Sequence, residues 1–406
     1  MKTKLLILAA LLLALSPFNQ AQDKPKQPDK APEKAAEGTE VKPNPDRKLP
    51  TQPEKGPGST EYAHKSVQTS EAGEAGLHYW VYTPAEPAPK EAPVVCFVHG
   101  YGALKPDPYI EWITHIVRRG SIVIYPQYQA HGMEPPANYA PNSATAVNAA
   151  LAWLKEDKSR VQPREKDFAI TGHSAGGVTC GNLAADWESL KLPKPKAVMP
   201  VEPGRAFSYN SQAQKDGLIP LSEYKQIPAD CLLVCVYADS DTTVGHWCAK
   251  KIFADATAVK AENKNLVELC SCTHCAEHMI ASHYAPGAPE GEHDCQDWFC
   301  FWKLFDGLTD AAFYGKNRQY ALGNTEQQRF MGKCSDGVPM TELKVTLGDV
   351  KVDPDEAYLP VFDRQGRRLR GDRPVNKETP APAPEKKPEP AKPAPKDESK
   401  EKEEGF

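Results

Sequence analysis

The chain has 406 residues, and its 49 basic and 54 acidic side chains leave a formal net charge of −5. So small a charge, without a basic patch interleaved with aromatic side chains, gives no indication of a nucleic-acid partner. Beyond residue 21 no apolar run is long enough for a transmembrane helix, so we expect a protein that does not span a membrane.

Residues 1–21 have the pattern of a secretory signal peptide. Lys2 and Lys4 precede an apolar run over 5–15, and Ala21 is a suitable cleavage position. A membrane anchor is the alternative, but this run is too short to cross a bilayer. We therefore expect a secreted or periplasmic protein.

Residues 22–60 and 372–406 are rich in Pro, Lys and Glu and have few large apolar side chains. Such segments bury too little surface to offset the entropy lost on ordering, so we predict a disordered linker and a disordered tail. Contact with a cell surface through these tails is the alternative to a simple solvated linker. Between them we expect a folded domain over 61–317 and a small appendage over 318–371 that packs on it.

The folded domain alternates short apolar runs with longer amphipathic ones. The apolar runs are continuous, which indicates strands buried on both faces, and the intervening helices predict a mostly parallel central sheet covered on both sides. Residues 77–82 alternate instead and indicate an antiparallel edge strand. The predicted parallel strands are 93–98, 121–126, 167–171, 197–201, 231–237 and 265–269, and the predicted helices are 108–119, 143–158, 175–190 and 297–314.

Ser174 lies in Gly172-His173-Ser174-Ala175-Gly176, between a predicted strand and a predicted helix. A tight turn here leaves no room for side chains at Gly172 and Gly176, and it lifts the serine hydroxyl above the sheet. It also places Ser174 at a helix N-terminus, where backbone N–H groups attract an oxyanion. We predict that Ser174 is a nucleophile; a helix-capping serine in a glycine-rich turn is the alternative.

A serine nucleophile needs a histidine as general base and a carboxylate that orients this histidine. On sheets with this turn, the serine, the acid and the histidine follow one another in that order along the chain. Asp239 and Asp241 directly follow the predicted strand 231–237. Either residue qualifies as the acid by its position, and either could instead be a loop residue or a helix cap.

The candidate bases are the four histidines that follow the last predicted strand. An ordinary surface or hydrogen-bonded role is the default for each of them. His283 is the best placed, because it lies in a loop directly before the last predicted helix. The other three are His274, His278 and His293.

The loop after the predicted strand 93–98 has the sequence His99-Gly100-Tyr101-Gly102. A loop at this position supplies a backbone N–H to the oxyanion of the reaction. We predict Tyr101 as this donor, with Gly100 as the alternative, and Ala175 as the other donor. His99 precedes the serine in the chain, so we expect it to have a structural role.

These residues together resemble the branch of the α/β-hydrolase superfamily that includes cutinase-like polyester hydrolases, dienelactone-hydrolase-like esterases and plant chlorophyllases. The similarity covers roughly residues 77–316. It implies an α/β-hydrolase fold, with the acid at Asp241, the second aspartate of its loop, and the base at His283. The blocks that carry the similarity are 93–101 with 122–126, 172–177, and the acid loop with 281–286.

Eleven cysteines in an exported chain point to disulfides, and because eleven is odd, at least one thiol is free or pairs between chains. Cys270, Cys272 and Cys275, with histidines nearby, could be interpreted as a zinc site, but a second correctly spaced pair is missing. We predict instead disulfides that fasten the loop carrying His283, and neither a metal nor a cofactor.

The expected function is hydrolysis of a carboxylic ester through an acyl-enzyme. The segment 204–228 is short for a lid, so we expect no large lid and a site open to small or polymeric esters. Peptide or amide hydrolysis is an alternative, but it normally needs a large cap or propeller. A non-catalytic, surface-tethered binding module is another alternative, and the complete triad argues against it.

Overall fold

The computed structural model describes residues 42–74, 76–130, 134–205, 218–287 and 293–353. The predicted signal peptide, the first half of the predicted linker, residues 354–371 of the predicted appendage and the predicted tail lie outside these ranges. The described residues from Pro43 onward belong to one compact unit. Among the helices of these ranges, none combines the length and the hydropathy that a membrane span requires.

Nine strands in the described part of the chain form one sheet. They are β1 (Ser66–Ala72), β2 (Tyr79–Ala85), β3 (Glu91–Val98), β4 (Ile122–Pro126), β5 (Gln162–His173), β6 (Pro195–Val201), β7 (Leu232–Ala238), β8 (Lys264–Leu269) and β9 (Lys344–Thr346). Their spatial order is β1-β2-β4-β3-β5-β6-β7-β8-β9. The neighbours from β4 to β8 in this order pair in parallel, and the pairs outside them are antiparallel. The predicted, mostly parallel sheet is therefore confirmed.

Helices cover both faces of this sheet and divide the apolar core in two. They are α1 (Ile110–Arg118), α2 (Tyr139–Glu156), α3 (Ala175–Ala185), α4 (Trp247–Asp255), α5 (Lys303–Tyr314) and α6 (Glu326–Arg329), and a π-helical segment at Asp297–Trp302 leads into α5. The core on one face includes α2, α3 and α4, and the core on the other face includes α1 and α5. This is the layered arrangement that continuous apolar strands require.

The edges of the sheet differ from the sequence prediction. Residues 77–82 contribute to an antiparallel strand, but β1 lies outside it and forms the edge. β1 is half exposed and rich in Ser, Gln and Thr, so it lacks the apolar run on which the prediction relied. At the opposite edge, β9 pairs with β8, so the predicted appendage contributes a strand to the sheet.

The described part of the predicted linker, residues 42–60, packs on the domain, which contradicts the prediction of disorder there. Arg47 Nε lies 2.8 Å from Asp336 Oδ2, and the Gly58 N–H donates to Asp306 Oδ2 at 2.7 Å. Hydrogen bonds and ion pairs fix this segment. The prediction relied on a composition poor in apolar side chains. Such a composition indicates how little apolar surface a segment can bury, but it does not indicate which polar contacts the segment makes.

One disulfide, Cys275–Cys334, joins the loop before His283 to the segment after α6. The prediction of a disulfide at this loop is therefore confirmed for one pair. The other nine cysteines lie outside this bond and are buried. Cys96 and Cys235 are among them, inside β3 and β7, as small residues of the core.

Candidate active site

The turn between β5 and α3 carries Ser174 in a strained conformation, with φ 59° and ψ −122°. A Cβ atom on Gly172 would lie 2.5 Å from the Gly176 carbonyl oxygen, and one on Gly176 would lie 2.2 Å from the Val98 carbonyl oxygen. Both glycines are therefore necessary for the close approach of this turn to β3. The serine is left at the carboxyl end of β5, above the sheet.

Ser174, His283 and Asp241 form one hydrogen-bonded line across the carboxyl ends of the central strands. Ser174 Oγ donates to His283 Nε2 at 2.9 Å, and His283 Nδ1 donates to Asp241 Oδ2 at 2.8 Å. Only the tautomer with its proton on Nδ1 satisfies both contacts, so we assign that tautomer. The structure thus brings together the three side chains that the sequence predicts as nucleophile, base and acid.

The loop after β7 gives its two aspartates different partners. Asp241 is buried, and its Oδ1 accepts the N–H groups of Thr243 and Val244, each at 2.9 Å. Asp239 is exposed and accepts the Ser271 N–H at 2.7 Å. Asp241 is therefore the aspartate that contacts His283, whereas Asp239 fastens the segment that follows β8.

The three remaining histidine candidates lie apart from this line. His274 Nδ1 faces the Pro339 carbonyl oxygen at 3.4 Å, and His293 Nδ1 lies 3.5 Å from Asp297 Oδ2. His278 is exposed. No hydrogen bond within the described residues joins any of these three side chains to Ser174.

His173, which directly precedes the serine, links the nucleophile turn to the loop of His283. Its Nε2 donates to the His283 carbonyl oxygen at 2.9 Å, and its Nδ1 accepts from the Tyr109 hydroxyl at 2.8 Å. Burial, reinforced by the nearby His283, lowers the pKa of His173 well below its ordinary value. The ring is therefore neutral, as these two hydrogen bonds require.

Tyr109 also separates the two candidates for an oxyanion donor in the loop after β3. The Gly100 N–H donates to Tyr109 Oη at 3.1 Å, so this group is already engaged. Tyr101 and Ala175 line the same cavity as Ser174. Ala175 is the first residue of α3, so its N–H has no acceptor one turn earlier within the helix. The role of Tyr101 as the second donor stays a prediction.

Glu202 is a buried carboxyl group beside this hydrogen-bonded line, and the sequence analysis missed it. Its Oε2 lies 3.5 Å from His173 Nε2 and 3.6 Å from His283 Nδ1. Burial and the neighbouring charge of Asp241 raise the pKa of Glu202 well above its ordinary value. The sequence feature that could have indicated Glu202 is an acidic residue directly after a buried strand, here β6.

Two groups of described side chains bring three potential metal ligands within 4.8 Å of one another. In the group of His173, Glu202 and His283, the two imidazole nitrogens that face Glu202 already donate hydrogen bonds. His173 Nε2 donates to the His283 carbonyl oxygen, and His283 Nδ1 donates to Asp241. The zinc site considered from the sequence loses a ligand, because Cys275 is bonded to Cys334. The two groups are His173, Glu202 and His283, and Asp239, Glu268 and Cys270.

In a comparison with protein families, the Chlorophyllase family model matches residues 56–227. No curated protein matches the chain. The matched region begins before β1 and ends before β7, so it includes Ser174 and Tyr101 but neither Asp241 nor His283. This match indicates an ester hydrolase, and the mostly parallel sheet with helices on both faces is consistent with an α/β-hydrolase fold. The chain therefore has an α/β-hydrolase fold and is similar to the Chlorophyllase family over the matched residues.

Proposed function

We propose that this protein is a serine esterase that uses Ser174, His283 and Asp241 as its catalytic triad. The hydrogen-bonded line that joins these side chains, at 2.9 and 2.8 Å, is the observation that carries the proposal. Ser174 Oγ attacks the ester carbonyl carbon while His283 Nε2 takes the hydroxyl proton and passes it to the leaving alcohol. A water molecule then attacks the acyl-enzyme, with His283 again as base, which releases the acid and restores Ser174.

The negative charge that forms on the carbonyl oxygen needs fixed donors, and we propose the N–H groups of Tyr101 and Ala175. Both residues line the cavity at Ser174. Loss of one such donor costs an enzyme of this kind about 10²–10³ in kcat, so both backbone positions matter. Asp241 orients His283 and stabilises its protonated form, since its own second oxygen is held by two backbone N–H groups.

The cavity at Ser174 favours an uncharged ester. Its volume is about 430 Å³, and no described residue that lines it is Lys, Arg, Asp or Glu. Tyr101 and Tyr284 are exposed at this cavity, with 37% and 58% of their surface accessible. A second cavity of about 930 Å³ adjoins it along Tyr284 and Gly287, which gives room for a substrate longer than the first cavity. We propose small or polymeric esters with an apolar or aromatic group next to the scissile bond.

Export is proposed from the sequence alone. Residues 1–21 carry the pattern of a signal peptide, and a secreted or periplasmic site would suit the disulfide Cys275–Cys334. Contact of the terminal segments with a cell surface stays a prediction, because residues 22–41 and 372–406 lie outside the described ranges. Residues 206–217, within the segment judged too short for a lid, lie outside them as well.

A pair of matched esters tests the proposed function. Nitrophenyl butyrate is neutral, and nitrophenyl hemisuccinate places a carboxylate at the end of a similar acyl chain. We expect hydrolysis of the butyrate with at least about tenfold higher kcat/KM, because a charge in an apolar pocket without a partner is costly. Chlorophyll, the compound that gives the matched family its name, belongs on the same panel. Ser174→Ala must abolish every activity; equal turnover by this variant, or no ester cleaved by the folded protein, contradicts the proposal.

A further inference from the structure

Glu202 is buried without a hydrogen-bond partner for its side chain. Both of its carboxyl oxygens lack a partner within the described part of the chain, and the residue has no accessible surface. Asp306, a second buried carboxyl, shows the ordinary situation: it accepts from the Gly58 N–H at 2.7 Å and from His115 Nε2 at 2.9 Å. An unsatisfied buried polar group opposes folding, so the presence of Glu202 needs a reason other than stability.

The backbone holds Glu202 firmly at this position. Its N–H donates to the Val236 carbonyl oxygen at 2.8 Å, and two residues later the Gly204 N–H donates to the Ser174 carbonyl oxygen at 3.0 Å. Its φ of 43° is in the left-handed region, which residues other than glycine rarely adopt. The carboxyl group is therefore kept between the nucleophile turn and the loop of His283.

The titratable groups that face Glu202 come from each element packed around it. The two nearest nitrogens belong to His173 and His283. The charge of Asp241, in the loop after β7, adds to the effect of burial in raising the pKa of Glu202. The charge of Glu202 would in turn add to the effect of burial in raising the pKa of Tyr109 and of Cys300, which lies in the π-helical segment. None of these groups is a fixed cation. A second ionised carboxylate beside Asp241 would hold His283 in its protonated form and prevent it from acting as a base. Burial and Asp241 both oppose that ionisation.

We propose that Glu202 is a positioning residue for the esterase reaction, in which its Oε2 acts with Asp241 as a second acceptor that stabilises the protonated ring of His283. This inference rests on the proposed function. The protonated ring exists only after Ser174 has lost its proton, so the contact strengthens between the ground state and the transition state. Removal of the acceptor should therefore lower kcat and leave KM nearly unchanged.

Two substitutions separate this role from a structural one. Glu202→Met keeps the approximate shape and removes the unsatisfied polar group, so its melting temperature should rise. Its kcat on nitrophenyl butyrate should fall about tenfold with KM within about twofold of wild type. The acidic limb of kcat/KM against pH should move to lower pH, because His283 loses an acceptor that favours its charged form. Glu202→Gln retains a carbonyl oxygen and should keep more activity than the Met variant.

Asp306→Asn is the matched control, since it alters a buried carboxyl group that has partners. It should lower the melting temperature without moving the pH profile. A Glu202→Met variant with wild-type kcat and pH profile would overturn the inference, as would a lower melting temperature with equal losses in the Met and Gln variants. If the wild-type protein cleaves no ester, the proposed function fails first; if it cleaves esters and Glu202→Met is not slowed, only this inference fails.

Discussion

Tyr109 shows how one buried hydroxyl connects two parts of the site. It accepts the Gly100 N–H and donates to His173 Nδ1, so it fixes the loop of Tyr101 and, through His173, the backbone of His283. His173, through which Tyr109 acts on His283, is 64 residues away from it in the chain. Tyr109 should therefore affect the reaction by fixing the positions of Tyr101 and His283.

Tyr109→Phe should lower kcat by about tenfold or more, because small misplacements of an oxyanion donor are costly. Tyr224→Phe is the control, since Tyr224 is equally buried and donates to Asn182 Oδ1 at 3.1 Å. Each substitution should cost about 1–2 kcal/mol in the free energy of unfolding. Ester kinetics and chemical denaturation check both expectations, and equal kcat values for the two variants would refute the role of Tyr109.

The sequence predicts Ser174, Asp241 and His283 because short patterns and a fixed chain order constrain them. It does not predict Glu202, His173 or Tyr109. Their roles depend on contacts between distant segments, such as the hydrogen bond from Tyr109 to His173, 64 residues apart. Such contacts follow from the packing of the sheet and have no local pattern.

At the scale of elements, Lys303 fastens the segment after α5 to the domain. It is the first residue of α5 and is buried, and its Nζ donates to the carbonyl oxygens of Gln328 at 2.8 Å and Phe330 at 2.5 Å. Burial lowers the pKa of Lys303 to about 7. A neutral amine has two N–H groups, which matches these two acceptors.

The shifted pKa of Lys303 predicts a pH-dependent stability. The folded-state value of about 7 lies below the ordinary 10.5, so the unfolded chain binds more protons between these pH values, and stability rises with pH in that window. From pH 7 to pH 9 the free energy of unfolding should rise by about 2 kcal/mol relative to that of Lys303→Met. Urea denaturation of both proteins at the two pH values measures this. A difference independent of pH would contradict it.

The strands of the parallel core could be predicted because burial on both faces makes them continuously apolar. β1 and β9 could not, since each lies at an edge, is partly exposed and has few apolar side chains. The predicted helix 297–314 starts as a π-helical segment, a change of hydrogen-bonding pattern that an apolar period does not reveal.

At the scale of the whole molecule, residues 43–60 are part of the folded unit. Arg47 donates to the His274 carbonyl oxygen at 2.6 Å, near the loop of His283, and Gly58 donates to buried Asp306. The segment therefore contacts the domain at two separate places. The composition that predicted a linker for it is common to solvated segments and does not exclude such polar contacts.

Truncation tests this boundary. A chain that begins at residue 43 should unfold at the temperature of one that begins at residue 22. A chain that begins at residue 61 should unfold at a lower temperature, since Asp306 alone loses a hydrogen bond to a charged group worth about 1.5–3 kcal/mol. Calorimetry of the three proteins measures this. Equal melting temperatures would show that residues 43–60 do not stabilise the domain and belong to the linker, as the sequence predicts.

Covalent labelling of Ser174 tests the central claim most directly. A fluorophosphonate reacts with a serine hydroxyl that an adjacent histidine activates, and mass spectrometry of the digested protein locates the adduct. We predict one adduct per chain, on Ser174, absent from Ser174→Ala and at least about 10³-fold slower in His283→Ala. A folded wild-type protein that remains unlabelled, or an adduct that persists in Ser174→Ala, would contradict the account.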